Sequence, residues 1–568
     1  MQNMPSMTSV AADGSSRRSK QPAVEGVFSP GTSDWISRIA RASAYLCFFL
    51  VAAPFLYHLS RGSAAYLGLF EDDYFYYAAI ADNLVRFGKL TYDGVTSTNG
   101  FHPLWQILLT LIRFICGRYG PAYHIGLMIV SVAGMILTYE LSVKFARMMG
   151  LPRGVAEIVS AMYSVGTARL MTMGMEAVIG VPLFLWLLIA AGSPERLTTK
   201  RAAKLGMIAS LAILARLDIA IAVGLLIAGF LVFVRPRLPE AIRLLAAFGA
   251  GGFLLPLYLA VNVWMFHTLL PVSAMAKQLY SGLGFNLWYA RTAALGTVYG
   301  PTVGMLLTLG VIAFILLVRQ SRSVGPPIRF VGATALAFAF ILWGLNALSG
   351  WIFFGWYAYP VLTASIAAAA FIWEKWGWVL AARPRIALSL AIVTLGLPVI
   401  VATRYYSEHG PGWSVSDNSL LAASYDIADR MRGRQGTYAM GAIGGVVGYV
   451  MDHPLVQLEG IMADRRMVDH VKNESSLEDV LRENKVDYLI VSFAAARVAE
   501  ADGCYEITQP HAEWAGRRTK KMRGEICSPP IERFVTPAGT NPWSVFPAIE
   551  TLIWNVRDAR WKARRVAN

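Results

Sequence analysis

Charge is scarce in this chain. Asp, Glu, Lys and Arg make up 15% of its 568 residues, against about 25% in a soluble domain of ordinary composition. Hydrophobic residues reach 55%, and the mean hydropathy is +0.47. That balance excludes a protein folded wholly in water, because the surplus apolar surface needs lipid around it. Cysteine is scarce too, at four residues, and no Cys or His spacing suits a structural metal. Cys47 and Cys116 fall in apolar segments, where a thiol reads as a small hydrophobe. Cys504 and Cys527 lie in a polar C-terminal part and pair if that part is outside the cytoplasm. Acids are outnumbered, 36 against 51 basic residues, which leaves a formal net charge of +15. The basic residues cluster in short loops between apolar segments. Membrane orientation therefore accounts for the excess, and nucleic acid is not needed as a partner.

What is present is a succession of apolar segments. Residues 1–35 read as a disordered basic tail rich in Ser, Gly and Pro, held in the cytoplasm. Arg38 and Arg41 precede a first span at about Ala42–Leu59, which leaves residues 61–102 as an external loop. Pro103–Cys116 has only about 14 residues, short of the ~20 a spanning helix needs, so it reads as a half-inserted or interfacial helix. The following spans are Ala122–Leu141, Val155–Arg169, Ala177–Ala191, Leu205–Leu217, Ile219–Val234 and Leu244–Val263. Val303–Val318, Phe330–Leu348, Tyr357–Ile372 and Ile386–Val401 complete the set. With Pro103–Cys116 not crossing, the loops that hold Lys144 and Arg147, Lys200 and Arg201, Arg235 and Arg237, Arg319 and Arg322, and Arg383 and Arg385 all fall inside. The expected fold is an α-helical polytopic membrane body, residues 36–402, with about eleven spans, an inside N-terminus and an outside C-terminus.

Residues 403–568 are polar and read as a separate extracytoplasmic α/β domain. Gln435–Met440 and Val486–Ser492 have strand character, and Ser476–Asn484 between them has helix character. Gly441, Gly444, Gly445 and Gly448 follow the first strand. Their spacing does not match a dinucleotide loop, so they read as a tight turn with close packing.

The chemistry concentrates in Phe70–Trp105, FEDDYFYYAAIADNLVRFGKLTYDGVTSTNGFHPLW. Asp72 and Asp73 stand beside an apolar span and open an amphipathic helix, Tyr74–Phe87, that Gly88 ends. One carboxylate can cap that helix, but a cap does not explain two. Ionisable groups held at a membrane are candidates for function, and a carboxylate in low-dielectric surroundings gains proton affinity and can act as a general base. Asn99 and Gly100 mark a turn into the short helix, and Trp105 fits an interfacial belt. His102 reads as a second acid/base, a donor to phosphate, or a structural histidine. Glu176 in GMEAV, Arg216 and Asp218 in LARLD, and Lys277 with His267 in HTLLPVSAMAK lie at external span ends. Arg216 and Lys277 are cations suited to a leaving phosphate, although Arg216 and Asp218 can instead neutralise each other. Trp356 and Tyr357 in GWYAYP either stack on a sugar face or join an interfacial belt.

Asp72–Asp73 in the first external loop, then NGFHPLW, GMEAV, LARLD and FHTLLPVSAMAK, resemble the GT-C glycosyltransferases in kind and in order. The resemblance covers Phe70 to about Tyr359 and is closest to bacterial enzymes of the arabinofuranosyltransferase and mannosyltransferase-like branches. It implies a multi-span bundle in a bacterial inner membrane with its active site at the external, periplasmic face. It implies a polyprenyl-phosphate-linked sugar donor, a glycan, lipid or protein acceptor, and an inverted anomeric product. Asp72 or Asp73 would be the base, and Glu176, Arg216, Asp218 and Lys277 would line the donor pocket. Some relatives hold a divalent metal, Mg or Mn, at the Asp site, and whether Asp72 or Asp73 does so here stays open. A donor anchored in the membrane suits such a site, because the short helix and its neighbour can hold an isoprenoid tail and its phosphate at one depth.

Two other readings compete. A transporter or flippase of lipid-linked saccharides would place charges near mid-membrane and show internal repeats. Here the charges sit at span ends. An O-antigen-ligase-like or polymerase-like enzyme would carry its key residues in a late loop, whereas the acidic loop here is the first. The topology has a direct check: a reporter fused after Asn568 is expected to be active only on the periplasmic side, and a cytoplasmic signal would overturn the span arithmetic.

Overall fold

The computed structural model describes residues 30–117, 120–192, 197–279, 328–348, 355–381, 383–441, 444–451, 453–492, 496–498, 503–509, 520–539 and 548–562. The expected tail up to residue 29, the span Val303–Val318 and the basic residues Arg319 and Arg322 lie outside these. The chain folds as a mostly helical body followed by a C-terminal part that contains two sheets.

Helices occupy the other segments read as spans. Pro30–Ser60 and Pro121–Met148 are, among the described residues, long and apolar enough to cross a membrane unaided. The first begins at Pro30, inside the stretch expected to be tail, and its Asp34 pairs with Arg153 at 2.5 Å. The segment expected as one helix, Leu244–Val263, is instead Leu238–Gly251 and Leu254–Phe266, bent by 56° at the break. Glycine explains the break. A Cβ at Gly251 would lie 1.9 Å from the Ala203 carbonyl, and one at Gly206 would lie 1.9 Å from the Phe248 carbonyl. Backbone meets backbone here between Leu238–Gly251 and Thr199–Ala215, and the run Gly249–Gly252 lets the chain turn away.

The loop after Pro30–Ser60 is enclosed rather than laid on a lipid surface. Its helix spans Asp72–Phe87 and ends at Gly88, whose φ of +66° allows its N–H to reach the Leu84 carbonyl. The stripe expected from sequence was one-sided, yet Tyr74, Phe75, Tyr76, Tyr77, Ala78, Ile80, Ala81 and Asp82 are all buried. The second face is covered because Pro103–Cys116 packs on one side and Gly444–Met451 on the other. Pro103–Cys116 has the bounds expected of it, with proline in its first turn, where a missing N–H costs nothing. Trp105 does not join an interfacial belt. It is wholly buried and donates from Nε1 to the Gly174 carbonyl at 3.2 Å, because the chain folds back over it. The two helices are tied by Arg113, whose Nε lies 2.7 Å from Asp82 Oδ1, with both side chains under 10% exposed. Arg86 also reaches Asp82, at 3.2 Å.

The C-terminal part holds a five-stranded mixed sheet in the order β2 (Leu455–Gln457), β1 (Tyr438–Met440), β3 (Tyr488–Ser492), β8 (Ile549–Asn555), β7 (Glu532–Thr536). β1 runs parallel to β2 and β3, while β8 is antiparallel to β3 and β7. Gly444–Met451 crosses from β1 to β2, and Arg465–Lys472 and Leu477–Glu483 cross from β2 to β3, as parallel neighbours require. A second, antiparallel sheet is made of β4 (Ala496–Val498), β5 (Tyr505–Gln509) and β6 (Met522–Ile526). Cys504 and Cys527 flank β5 and β6 and are joined as a disulfide, which settles the pairing left open by composition.

Removing one partner of a buried ion pair strands the other, at a cost of about 3 kcal/mol. Arg113→Met is therefore expected to lower the melting temperature of the purified protein clearly, and adding Asp82→Asn is expected to restore part of the loss. A variant melting like the parent would show that the pair does not hold these helices.

Candidate functional site

The two adjacent acids have different environments. Asp72 faces the N-terminus of Gly444–Met451: its Oδ1 accepts from Val446 N at 2.8 Å and its Oδ2 from Gly445 N at 3.2 Å. Neither acid caps its own helix, whose N-cap is Glu71 without a side-chain bond. Asp72 instead satisfies two unpaired amides of another helix, where the helix dipole also favours a negative charge. Tyr76 and Tyr92 add to the same joint. Gly444 N donates to Tyr76 Oη at 2.9 Å, and Tyr92 Oη donates to the Gly444 carbonyl at 2.7 Å. Gly445 has no room for a side chain, since a Cβ would stand 2.2 Å from the Asp72 carbonyl. The glycine run thus packs closely against the first loop.

Asp73, one residue on, points elsewhere. Among the described residues no hydrogen bond or ion pair reaches its carboxylate, and part of its surface stays open. The charges nearest in effect are Lys277, Asp72, Glu176 and Glu459. Burial pushes the Asp73 carboxyl up to about 7, helped by the three acids and opposed by Lys277. Burial also lifts Asp72 to about 7, against the pull of its two amide partners and with Glu459 adding to the rise. Both carboxyls therefore gain proton affinity, as low-dielectric surroundings were expected to cause.

A second group lies alongside. Arg216 is 1% exposed and each of its three guanidinium nitrogens makes one hydrogen bond to a carboxylate. Nη1 donates to Glu176 Oε1 at 2.8 Å, Nη2 to Asp218 Oδ2 at 2.9 Å and Nε to Asp218 Oδ1 at 3.2 Å. Tyr359 lies under the guanidinium at 4.7 Å and donates its hydroxyl to Asp218 at 3.0 Å. The residue spacing Arg-x-Asp makes the two-bond contact local, and Gly180 makes space for the arginine: a Cβ there would lie 2.8 Å from Arg216 Cγ and Cδ. Glu176 Oε2 is buried and, among the described residues, has no hydrogen-bond partner. His102 Nε2 lies 3.7 Å from Glu176 Oε1, and Leu217 N donates to its Nδ1 at 3.4 Å. That bond puts the ring proton on Nε2. Burial lowers the proton affinity of His102, so the ring is neutral at pH 7.

Lys277 sits on Val272–Gln278 and donates to Tyr357 Oη at 2.9 Å. Asn99 holds that segment in place: its Nδ2 donates to Thr268 Oγ1 at 3.0 Å and its Oδ1 accepts from Val272 N at 3.0 Å. The NG turn thus serves the Lys277 segment as well as the short helix after it.

Of the residues singled out from sequence, the structure gathers Asp72, Asp73, His102, Glu176, Arg216, Asp218, Lys277 and Tyr357 into one region. It does not gather His267, whose side chain is exposed and whose carbonyl accepts from Arg465 at 3.1 Å. A phosphate role for its ring has no support in this placement, since the left-handed backbone at His267 (φ +54°) turns it outward from the break after Phe266. Trp356 is buried in the core beside Tyr357 rather than offered to solvent or to a membrane interface. Two members were missed. Tyr359 was within reach of sequence reasoning, two residues along GWYAYP from Tyr357. Glu459, in the turn after β2, carries no local signal, and only the fold brings it here.

Among the described residues no group of three or more His, Cys, Asp or Glu side chains is arranged to hold a metal ion. The oxygens of Asp72 are turned to backbone amides and Glu459 is bonded to Gln457 Nε2 at 3.0 Å, so of the two first-loop acids Asp73 is the one left open to a ligand.

No family model matches the sequence, and no curated protein matches it. Solved structures do. The oligosaccharyltransferase AglB from Archaeoglobus fulgidus, in complex with an inhibitory peptide and a dolichol-phosphate, superposes with a TM-score of 0.51 over 81% of this chain and 70% of that one, at 13% identity. ArnT from Cupriavidus metallidurans, bound to undecaprenyl phosphate, gives 0.49 over 88% and 98%, at 12% identity. AglB is a GT-C glycosyltransferase, and the likeness to it establishes a similar fold: a helical body with a C-terminal domain that contains sheet.

The glycine joint yields a sharp contrast. Gly445→Ala is expected to cost about 1–3 kcal/mol through overpacking against Asp72, whereas a Cβ at Gly444 meets nothing nearer than 3.4 Å. Thermal melting of the two alanine variants checks this, and equal melting points would contradict it.

Proposed function

We propose that this protein is a membrane glycosyltransferase that moves a sugar from a polyprenyl-phosphate donor to a hydroxyl of a glycan, lipid or protein acceptor, with inversion at the anomeric carbon. The observation that carries the reading is Asp73: a recessed carboxylate of raised proton affinity, with no hydrogen-bond partner among the described residues, facing the charge of Lys277. The GT-C-like fold supports the same reading.

The two acids divide the work. Asp72 spends its oxygens on the Gly444–Met451 helix, so Asp73 is the base. It takes the proton of the acceptor hydroxyl as that oxygen attacks the anomeric carbon. The bond from that carbon to the phosphate oxygen breaks, and the lipid phosphate leaves with the electron pair. Lys277 offsets the charge that grows on the leaving phosphate. Arg216 does not share this task, because its charge is already offset by Glu176 and Asp218. It forms a platform of one cation between two carboxylates instead, and Glu176 Oε2, buried without a partner among the described residues, is the acceptor that a sugar hydroxyl would meet. No step here is routed through a metal. The location that fits is a bacterial inner membrane, with the site and the C-terminal domain, residues 403–568, on the periplasmic side. An arabinofuranosyl or mannosyl donor is the first to test.

The test is transfer of radiolabel from a panel of polyprenyl-phosphate sugars by the purified protein. Asp73→Asn is expected to lose about 10²–10⁴-fold in rate with an unchanged melting point. Asp72→Asn is expected to lower the melting point through its lost helix contact. The base works only as the carboxylate, so the rate should climb with pH through about 7 and level off above. Transfer by Asp73→Asn at the parent rate would overturn the reading.

A further inference from the structure

Glu459 belongs to the C-terminal domain but shares the electrostatic neighbourhood of the first-loop acids. It is 8% exposed, and its charge is felt by Asp72, Asp73 and Tyr76, for Asp73 less than that of Lys277, Asp72 or Glu176. A buried acid beside two others is costly unless something fixes it there. Gln457 does so. Its Nε2 donates to Glu459 Oε2 at 3.0 Å while its Oε1 accepts from Ile461 N at 3.1 Å, which closes the turn on itself. The turn is also keyed into the first loop. A Cβ at Gly100 would lie 2.0 Å from the Ile461 carbonyl, so the NG turn and the Glu459 turn touch through backbone. Arg465, just beyond, reaches the His267 carbonyl at 3.1 Å, on the segment that leads to Lys277. One short stretch, Gln457–Arg465, therefore contacts both loops that carry the cluster.

We propose that Glu459 is a positioning residue for the transfer reaction: the C-terminal domain brings its carboxylate, held by Gln457 in a turn keyed to Gly100, against the loop that carries the Asp73 base. This deepens the reading of Asp73 as base and rests on it. The charged and titratable groups that act on Asp73 are Asp72 on its own helix, Glu176 from the turn after Gly174, Lys277 from Val272–Gln278 and Glu459. Lys277 stabilises the carboxylate and the three acids oppose it. Removing the Glu459 charge leaves Lys277 less opposed, so Asp73 gives up its proton at lower pH. Docking of the C-terminal domain and the working pH of the site are in this way one property.

The experiment is the pH–rate profile of the full-length protein, with melting curves beside it. Glu459→Gln is expected to move the acid limb to lower pH and to lower the plateau rate, since a weaker base is a poorer one. Glu459→Asp keeps the charge and is expected to leave the limb in place. If Glu459→Gln melts too early to assay, Glu459→Met removes the same charge and is expected to give the same shift. A limb that stays put in the uncharged variants overturns the proposal, as does an equal shift in Glu459→Asp, which would mark a merely structural role. The infrared band of protonated carboxyl groups, with the Asp73 share identified by its loss in Asp73→Asn, follows the same titration without turnover. A wild-type rate in Asp73→Asn would instead remove the base itself, and the two failures are thereby told apart.

Discussion

A single carboxylate set against two backbone amides joins the halves of this protein. Asp72 lies in the loop after the long apolar helix Pro30–Ser60, and its partners Gly445 and Val446 open a helix of the C-terminal part. The contact works because each side lacks something. The helix start has N–H groups without acceptors, and the acid, once surrounded by protein, has lost its water. Tyr76 and Tyr92 close the edges of the joint. From it follows the enclosure of the whole Asp72–Phe87 helix, and from that enclosure the high proton affinity of Asp73.

The neighbouring network solves a different problem. An arginine with almost no exposure stays charged only if its donors are satisfied, and Glu176 and Asp218 satisfy them in the plane of the guanidinium while Tyr359 fills the face. The result is an arginine held between two carboxylates, one more acid than the cation needs. That leaves Lys277, on a short helix pinned by Asn99, as the cation nearest in effect to Asp73. The division between an arginine locked to two carboxylates and a cation on a linking segment suits a site that admits a charged group and then releases it.

Much of this was legible because charge beside an apolar run is conspicuous. Asp72, Asp73, Glu176, Arg216, Asp218 and Lys277 stand out in the sequence for that reason, and the short helix Pro103–Cys116 announces its own limits by a proline at its start and its length. Roles were harder to read. Nothing local separates Asp72 from Asp73; the difference is which one meets Gly445. His267 looked like a partner of Lys277 because both lie in one external stretch, yet the backbone turn at His267 sends it outward. Trp105 and Trp356 were drawn toward a membrane interface by their chemistry, which is equally at home in a core where Nε1 finds a carbonyl, as Trp105 does at Gly174. The single helix expected over Leu244–Val263 failed because apolar content does not register a backbone-to-backbone contact. Glu459 was invisible, since its importance lies wholly in a long-range approach.

The seam between Thr199–Ala215 and Leu238–Gly251 has an evolutionary corollary. Gly249 and Gly251 look interchangeable on paper, two glycines of one run. Yet a methyl on Gly251 would strike the Ala203 carbonyl, while one on Gly249 would enter open space. Mutational drift along this helix is therefore unequally licensed: alanine can settle at the first position without consequence, and the second is barred to every other amino acid for as long as the two helices keep their spacing.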